Sequence, residues 1–344
     1  MSRSYRVLAL VPEGGTPPED LTGMTHKDVA PFKMEYDVLT ALEHLGHTHR
    51  CLEVQGDLGP IRDAIGDMKP HVVFNMLEEF HGFVAFDHNV VSYLELLKVP
   101  YTGCNPRGLI LARDKALTKK ILSYHRIHVP GFAVFPTGRR FRAPKKLNYP
   151  LFVKSLIEEG STGISQASVV RDEEQLERRV AFIHESIGGD AIAEEYIEGR
   201  EVYMGMLGNL RVDTFPLWEL VMDRMPEGVA RIASAKVKFD HDYQDKHGIT
   251  TRKVEDLPAS EMTRIQRMCK RVYRVLGISG YARLDLRLQE DGKVFVIEAN
   301  PNPDLSADED FSLSADAGGI QYNDLIRRIL NLGIRYHRTW HGLV

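Results

Sequence analysis

The stretch Tyr281-Ala-Arg-Leu-Asp-Leu-Arg-Leu-Gln-Glu-Asp-Gly-Lys-Val-Phe-Val-Ile-Glu-Ala-Asn-Pro-Asn-Pro303 decides which fold the rest of the chain can adopt. Its two apolar runs alternate with polar residues at a period of two, which is typical of strands with one buried face. The Asp291-Gly292 pair between the runs favours a tight turn. We therefore expect an antiparallel β-hairpin that ends where the Asn-Pro-Asn-Pro sequence interrupts the second strand.

Four polar side chains of this hairpin are expected to share one face. Arg283 and Asp285 have the same parity on the first strand, as do Glu298 and Asn300 on the second. Asp285, Glu298 and Asn300 could then converge as hard oxygen ligands, the type that Mg²⁺ prefers. The alternative is an edge hairpin whose polar face is merely solvated.

The pattern Arg-x-Asp followed by Glu-Ala-Asn-Pro-x-Pro resembles the metal-binding signature of the ATP-grasp superfamily, and within it the D-alanine–D-alanine ligase-like group. The resemblance implies an ATP-grasp fold of the α/β class. We expect an N-terminal parallel α/β domain at residues 1–112, a central lid subdomain at 113–198 and a C-terminal mixed-sheet domain at 199–344. ATP and Mg²⁺ are the implied cofactors, with Mn²⁺ as an alternative metal.

Composition excludes several other classes of protein. The 344 residues are 43% hydrophobic and 27% charged, as in ordinary globular proteins, and are enough for two or three domains. The net charge of −4, without a long basic run, argues against a nucleic-acid partner. The sequence has no apolar stretch long enough for a membrane span and no apolar leader at its N-terminus, so we expect a cytoplasmic protein without a membrane partner. Cys51, Cys104 and Cys269 lie too far apart to indicate a cysteine metal site or a disulfide framework.

The N-terminal part predicts a parallel sheet. Residues 6–11, 48–54 and 71–76 are short apolar runs typical of buried strands, and residues 32–45 and 58–68 show helical periodicity. Strands that alternate with helices at such short spacing favour a parallel α/β lobe.

Two loops leave the carboxyl edge of this predicted sheet, where such sheets bind their ligands. Glu19 in the first loop and Glu35 on the following helix are candidates for binding a substrate amino group, with a solvated acid as the alternative for either. Glu78, Glu79 and His81 follow the third strand directly, so the strand end would position them. Their role stays open between ligand binding and an ordinary loop.

The rest of the chain predicts further elements around the hairpin. Helices are expected at residues 90–97, 172–187, 260–276 and 322–332. Strands are expected at residues 99–104, 131–135, 149–154, 190–202, 202–207, 215–220 and, running into a polar loop, 232–243. Ser260 is the expected N-cap of the third helix. Residues 337–344 form a tail.

A phosphate-binding loop is indicated after the strand that ends at Lys154. Ser161, Thr162 and Gly163 follow it, and small residues with hydroxyl groups allow backbone N–H groups to approach anionic oxygens. A plain hairpin turn is the alternative. The segment resembles the mobile lid of the ligase group, although Ser155 replaces the proline of the family pattern.

Other lysines are assigned by the resemblance alone. The order of a helix, then Leu-x-x-Pro-Tyr-Thr-Gly, then a helix with an Asp-Lys pair is similar to the ligase group and implies that Lys115 contacts the nucleotide phosphates. Lys119 and Lys120 are expected on the solvated face of that helix. A lysine of the resembled family also contacts the terminal phosphates from a later segment. Both Lys236 and Lys238 fit this role, and Lys238 is favoured.

Residues 194–201, Glu-Glu-Tyr-Ile-Glu-Gly-Arg-Glu, resemble the hinge that holds the nucleoside in this family. The resemblance implies that Glu194, Glu195 and Ile197 line the adenine slot and that Glu201 accepts the ribose hydroxyl groups. Chemically, a strand backbone offers the alternating donors and acceptors that an adenine edge requires. A charged edge strand and turn is the alternative.

Taken together, the resemblance implies an ADP-forming ligase that joins a carboxylate to an amine through an acylphosphate. Arg283, Lys238 and Ser161 are the expected catalytic residues. The expected partners are small carboxylate and amine molecules, and a homodimer is left open. A catalytically silent ATP-binding regulatory or partner-binding protein on the same fold is the alternative function.

The substrates are expected to differ from D-alanine. Residues 14–20 lose the Val-Ser end of the family's N-terminal loop, and residues 78–83 depart from its His-Gly-x-x-Gly-Glu-Asp-Gly loop. Phe239 stands where many of the ligases carry tyrosine. An amino acid, a small peptide or a related carboxylate is therefore the expected class.

Overall fold

Three β-sheets organise the chain in a computed structural model that describes residues 3–158 and 161–340. The first sheet is parallel, and the other two are antiparallel. We propose that they mark the three domains expected at 1–112, 113–198 and 199–344. Within the described residues, no helix combines the length and the apolar character needed to cross a bilayer.

The N-terminal sheet has the predicted parallel arrangement. Its strands lie in the order β2-β1-β3, and the alternation of strands and helices is confirmed. The elements are β1 (Arg6–Pro12), α1 (His26–Val29), α2 (Lys33–His44), β2 (Thr48–Val54), α3 (Gly59–Met68), β3 (Val72–Asn75), α4 (Asp87–Leu96) and α5 (Pro106–Arg113). The strand expected at 99–104 is reduced to one bridge between Tyr101 and Val73.

The central sheet is four-stranded in the order β4-β7-β5-β6. Its elements are α6 (Lys115–Tyr124), β4 (Phe132–Phe135), β5 (Leu151–Ser155), β6 (Val169–Val170), α7 (Glu173–Phe182), a π-helical turn (Ile183–Ile187) and β7 (Ala191–Glu195). Asp114 caps α6 by accepting a hydrogen bond from the Leu117 N–H group, and this fixes the direction in which the helix presents its lysines.

The C-terminal sheet is five-stranded in the order β10-β9-β8-β11-β12. Its elements are β8 (Arg200–Gly208), β9 (Val212–Met222), α8 (Ala235–Phe239), α9 (His241–His247), β10 (Ile249–Lys253), α10 (Ala259–Val275), β11 (Tyr281–Leu288), β12 (Val294–Pro301), α11 (Asp310–Ala317) and α12 (Tyr322–Trp340). The predicted hairpin is confirmed as β11 and β12. Asp285 lies opposite Glu298, and Arg283 lies opposite Asn300.

Several elements differ from the prediction. The strand expected at 232–243 is wrong, because Ser234 and Asp240 cap the two short helices α8 and α9 instead. Strand β10 and helix α11 were not predicted. The N-cap position of α10 is Pro258 rather than Ser260, and no side chain caps that helix.

Helix α12 returns to the N-terminal sheet and packs against α2 and β3. It extends beyond the expected end at residue 332 to Trp340, and the last four residues of the expected tail lie outside the described residues. Gly333 makes this packing close, because a Cβ atom there would lie 2.3 Å from the carbonyl oxygen of Tyr101.

Two helical glycines allow this packing to be tested. We expect Gly333→Ala to lower the thermal midpoint by at least ~2 °C, because the added methyl group overlaps with the Tyr101 carbonyl oxygen. Gly66→Ala in α3 is the matched control, since a Cβ atom there meets nothing within 4 Å. It should leave the midpoint unchanged or raise it. Equal shifts for the two variants, measured by circular dichroism, would contradict the packing described.

Candidate active site

A pocket between the central and C-terminal sheets collects most of the predicted site residues. Those that line it are Lys115, Lys154, Ser161, Thr162, Glu194, Glu195, Ile197, Glu201, Lys238, Arg283, Asp285, Glu298 and Asn300. Gly163 and Lys236 are predicted residues that do not line it. Apolar side chains of Phe152, Leu286 and Ile297 supply part of the wall, as a flat aromatic ring would require.

Five charged side chains, four of them buried and Glu298 partly exposed, form a network at the base of this pocket. Lys115 Nζ lies 3.1 Å from Glu298 Oε1, and Lys154 Nζ lies 3.4 Å from Glu298 Oε2. Glu194 Oε1 lies 2.9 Å from Lys119 Nζ and 3.5 Å from Lys154 Nζ. Three lysines face two glutamates, so the network has a surplus of one positive charge when all five groups are ionised. An anionic ligand would balance it.

Lys119 is a member of this network that the sequence reasoning did not place there. The expected solvated position is wrong: its side chain is 1% exposed, and its ammonium group donates a hydrogen bond of 2.7 Å to the carbonyl oxygen of Ile297. The available signal was the spacing of four residues from Lys115, which places both lysines on the same face of α6. Lys120 is exposed, as expected.

Opposite charges outweigh burial at two positions of the network. Burial alone would raise the pKa of Glu298. The positive charges of Lys115 and Lys154 together have the larger effect, so the pKa is well below its ordinary value. Burial acts to lower the pKa of Lys154, but Glu194 and Glu298 raise it above its ordinary value. Both groups therefore stay ionised at neutral pH.

The donor set on the hairpin fits a hard cation. Asp285 and Glu298 lie side by side in the β11–β12 register, with Asn300 two positions further along β12. Both oxygens of Asp285 accept hydrogen bonds from Arg283, at 2.8 and 3.1 Å. Since Glu298 contacts Lys115 and Lys154, both carboxylates now interact with cations. Although the described residues contain no group of three or more His, Cys, Asp or Glu side chains suited to a metal, two carboxylates and an amide are the oxygen donors that Mg²⁺ takes.

Arg283 is held in place from two sides. Its guanidinium group binds Asp285 and lies 4.9 Å from the centre of the Tyr203 ring. Burial acts to lower the pKa of Arg283, but Asp285 outweighs this effect and the guanidinium remains charged. A fixed cation thus faces the pocket beside the proposed metal ligands.

A residue that was not predicted holds Glu201, the expected ligand of the ribose hydroxyl groups. Glu201 Oε2 accepts a hydrogen bond of 2.7 Å from Arg287, and Glu201 Oε1 accepts one of 3.0 Å from the Tyr203 hydroxyl group. Arg287 was not among the predicted site residues, although it shares the strand parity of Arg283 and Asp285. It fixes the Glu201 carboxylate in the pocket wall, where a diol could bind.

The two other acids of the hinge differ in orientation. The Glu194 carboxylate faces the lysines of the network, whereas Glu195 Oε1 accepts hydrogen bonds from Asn148. The backbone N–H group of Glu195 donates to the Gly131 carbonyl oxygen. The nucleotide contacts of Glu194, Glu195 and Ile197 stay predictions.

Hydrogen bonds join the expected lid loop to the segment before α8. The Ser161 hydroxyl group donates to the carbonyl oxygen of Ala233 at 2.8 Å. Gln166 exchanges two hydrogen bonds with the backbone of Ala230, at 2.9 and 3.1 Å. These contacts cross from the central lobe to the C-terminal lobe beside the pocket. Residue Gly160 of the expected loop lies outside the described residues.

Helix α8 distinguishes the two lysine candidates. Lys238 lines the pocket, whereas Lys236 is exposed. This arrangement favours Lys238 as a phosphate ligand. The expectation for the Phe239 side chain lies outside the described part of the structure.

The loop after β3 stands apart from this pocket. Glu78, Glu79 and His81 do not line it. The backbone N–H group of His81 donates to the Gln55 carbonyl oxygen at 2.6 Å, and the His81 ring stacks on Phe83. The position of His81 is therefore set by contacts within the N-terminal lobe.

Known proteins are similar to this chain in sequence and in fold. The family model described as "D-ala D-ala ligase C-terminus" matches residues 123–331. An uncharacterized protein, y4sG, of Sinorhizobium fredii is 31% identical over 89% of this chain and 88% of its own length. A D-alanine–D-alanine ligase of Streptococcus thermophilus is 32% identical over 76% of this chain and 72% of its own length. The structure of a Bacillus anthracis D-alanine–D-alanine ligase complexed with ATP is 21% identical, with a TM-score of 0.74 over 98% of this chain and 100% of that chain, a likeness of fold.

The two lysines of α8 form a matched pair for a binding test. We expect Lys238→Ala to weaken the binding of a fluorescent ATP analogue by at least ~10-fold, because a pocket-lining cation is lost. Lys236→Ala removes the same charge from an exposed position and should change affinity by less than ~2-fold. Anisotropy titrations would measure both. A larger loss for Lys236→Ala would reverse the assignment.

Proposed function

The chain belongs to the D-alanine–D-alanine ligase family of the ATP-grasp superfamily, and on this premise we propose that it joins a carboxylate to an amine with conversion of ATP to ADP. The observation that carries the proposal is the pocket itself. It combines a surplus of buried lysine charge with two carboxylates and an amide on one hairpin. Such a pocket suits a triphosphate and its metal ion.

The lysines would act on the nucleotide. Lys115 and Lys154 would bind phosphate oxygens, and Lys238 would approach the transferring group from the opposite lobe. Ser161, Thr162 and Gly163 would close over the phosphates, with Ser161 oriented near the reaction centre. Positioning and charge compensation provide most of the catalysis of phosphoryl transfer, so no side-chain nucleophile is required.

The hairpin would act at the reacting carboxylate. Asp285, Glu298 and Asn300 would hold Mg²⁺, which neutralises phosphate charge when bound. One carboxylate oxygen of the substrate attacks the γ-phosphorus, and ADP leaves. The amine then attacks the acyl carbon, loses a proton and expels inorganic phosphate, which leaves an amide. Arg283 would stabilise the negative charge that develops on the acyl oxygen.

The nucleoside would lie against the hinge. Glu194, Glu195 and Ile197 would line the adenine slot, and Glu201, held by Arg287, would accept the ribose hydroxyl groups. The substrate would be an amino acid, a small peptide or a related carboxylate other than D-alanine. The altered loops at residues 14–20 and 78–83 support this difference.

ADP release tests the function. The protein is incubated with ATP, Mg²⁺ and pairs drawn from a panel of amino acids and small peptides, and ADP is measured by a coupled assay. Release that depends on both a carboxylate and an amine, with an amide product in the mass spectrum, is the expected result. Nucleotide binding without substrate-dependent release across the panel would favour the catalytically silent alternative.

Glu298 allows the metal assignment to be tested. We expect Glu298→Gln to lower turnover by at least ~100-fold and to raise the Mg²⁺ concentration needed for half-maximal activity, because one anionic metal ligand is lost. Glu290→Gln is the matched control, since it removes an exposed acid from the turn region of the same hairpin. Near-normal turnover of Glu298→Gln would refute the assignment.

A further inference from the structure

Tyr203 lies between two site residues that serve different ends of the proposed reaction. It belongs to β8, and its side chain is buried. In the antiparallel register of β8 and β11, Tyr203 lies opposite Asp285, just as Glu201 lies opposite Arg287. Residues at such positions share one face of a sheet, and here this face carries the site. The nucleotide and metal roles proposed above do not use Tyr203.

The hydroxyl group of Tyr203 fixes one oxygen of the Glu201 carboxylate. It donates to Glu201 Oε1 at 3.0 Å, while Arg287 donates to Glu201 Oε2 at 2.7 Å. A phenol is protonated at neutral pH, so the tyrosine is the donor and the carboxylate is the acceptor. Each carboxylate oxygen can accept a further hydrogen bond. Glu201 is therefore held in one orientation and could still accept the ribose hydroxyl groups.

The ring of Tyr203 contacts the guanidinium group of Arg283. The Arg283 Cζ atom lies 4.9 Å from the ring centre, which is within the range of a cation–π interaction. Arg283 also donates to both oxygens of Asp285, at 2.8 and 3.1 Å. Asp285 is a proposed metal ligand, so its oxygens would serve two cations, whereas the ring contact does not involve the metal ligands. The ring is therefore an independent support for Arg283.

Apolar packing holds the Tyr203 side chain in place. Tyr203 belongs to a buried cluster with Leu220, Met222, Val237 and Ile249. Val237 is part of α8, the helix that also carries Lys238. A tyrosine side chain has two main torsion angles, and each staggered position of the first points the ring in a different direction. A change of rotamer would therefore break the contacts with Glu201 and with Arg283 together.

We propose that Tyr203 is a positioning residue with two actions: its hydroxyl group orients Glu201 for the ribose, and its ring orients Arg283 for the acyl intermediate. The inference rests on the proposed function, since both actions concern the same site. One side chain then serves nucleoside binding and the reaction centre. The two actions can be separated by substitution, because phenylalanine keeps the ring without the hydroxyl group and leucine keeps neither.

The binding of two nucleotides tests the hydroxyl group. Calorimetric titrations with Mg²⁺, without carboxylate or amine, compare ATP with dideoxy-ATP, which lacks both ribose hydroxyl groups. We expect Tyr203→Phe to weaken ATP binding by at least ~3-fold and to leave dideoxy-ATP binding nearly unchanged, because the lost hydrogen bond acts on the ribose through Glu201.

Tyr273→Phe is the matched control for this titration. It removes a buried hydroxyl group that donates to the Gly208 carbonyl oxygen, and neither residue lines the pocket. Both affinities should stay unchanged in this variant. An equal loss for ATP and dideoxy-ATP in Tyr203→Phe, or no loss for either, would overturn the inference.

Turnover tests the ring. With a carboxylate and amine pair that gives ADP release, Tyr203→Phe should keep kcat within ~2-fold and show its defect in KM for ATP. Tyr203→Leu should lower kcat by at least ~10-fold, because Arg283 loses its aromatic contact. Its nucleotide affinities should match those of Tyr203→Phe, which shows that the pocket still forms. Tyr203→Met replaces the leucine variant if that variant does not fold. Equal kcat values with and without the ring would overturn the inference.

Nitrogen-15 spectra of the arginine side chains separate this inference from the proposed function, because they do not depend on turnover. The Arg283 Nε–H group donates to Asp285, which slows its exchange with water, and its signal is identified by its loss in Arg283→Lys. We expect the signal to keep its position in Tyr203→Phe and to shift in Tyr203→Leu, since the ring current is lost. A shift would support the positioning of Arg283 even if no amide forms. An unchanged signal in Tyr203→Leu would contradict it even if ADP is released.

Discussion

The site depends on the ion pairs that Glu194 and Glu298 make with three buried lysines. These groups come from α6, β5, β7 and β12, so the network ties the central sheet to the C-terminal sheet. Burying an unpaired charge costs several kcal/mol, so each lysine requires a carboxylate and each carboxylate a lysine. In the proposed function, the surplus positive charge would allow this structural network to bind an anion.

Local geometry explains how distant residues meet at this network. The β11–β12 register sets Asp285 beside Glu298, and the spacing of four residues on α6 aligns Lys115 with Lys119. Segment 230–233 approaches from the opposite lobe and receives hydrogen bonds from Ser161 and Gln166. The charged network therefore lies on regular helices and strands, whereas the segments expected to close over it are loops and one short helix. This division suits a site that is rigid at the reaction centre and open at its entrance.

The regular alternation of apolar and polar residues made part of this structure predictable. The hairpin, its shared face and the strand end at Lys154 follow from a period of two and from turn residues, which depend on neighbours in the sequence. Lys119 could not be placed in the same way, because its burial depends on Glu194 and the Ile297 carbonyl oxygen, both distant in sequence. Helices α8 and α9 were missed because Ser234 and Asp240 start them by capping, a local effect that outweighed the apolar pattern of the segment.

In the proposed reaction, a substrate carboxylate attacks the terminal phosphate of ATP within this pocket. Amino acids labelled with oxygen-18 in their carboxyl groups test it most directly, because an acylphosphate passes one carboxyl oxygen to phosphate when the amine displaces it. Incubation of the labelled pool with the protein, ATP and Mg²⁺ should yield inorganic phosphate that carries one oxygen-18 atom, together with ADP. Release of ADP with unlabelled phosphate would contradict this reaction, since water would then be the nucleophile.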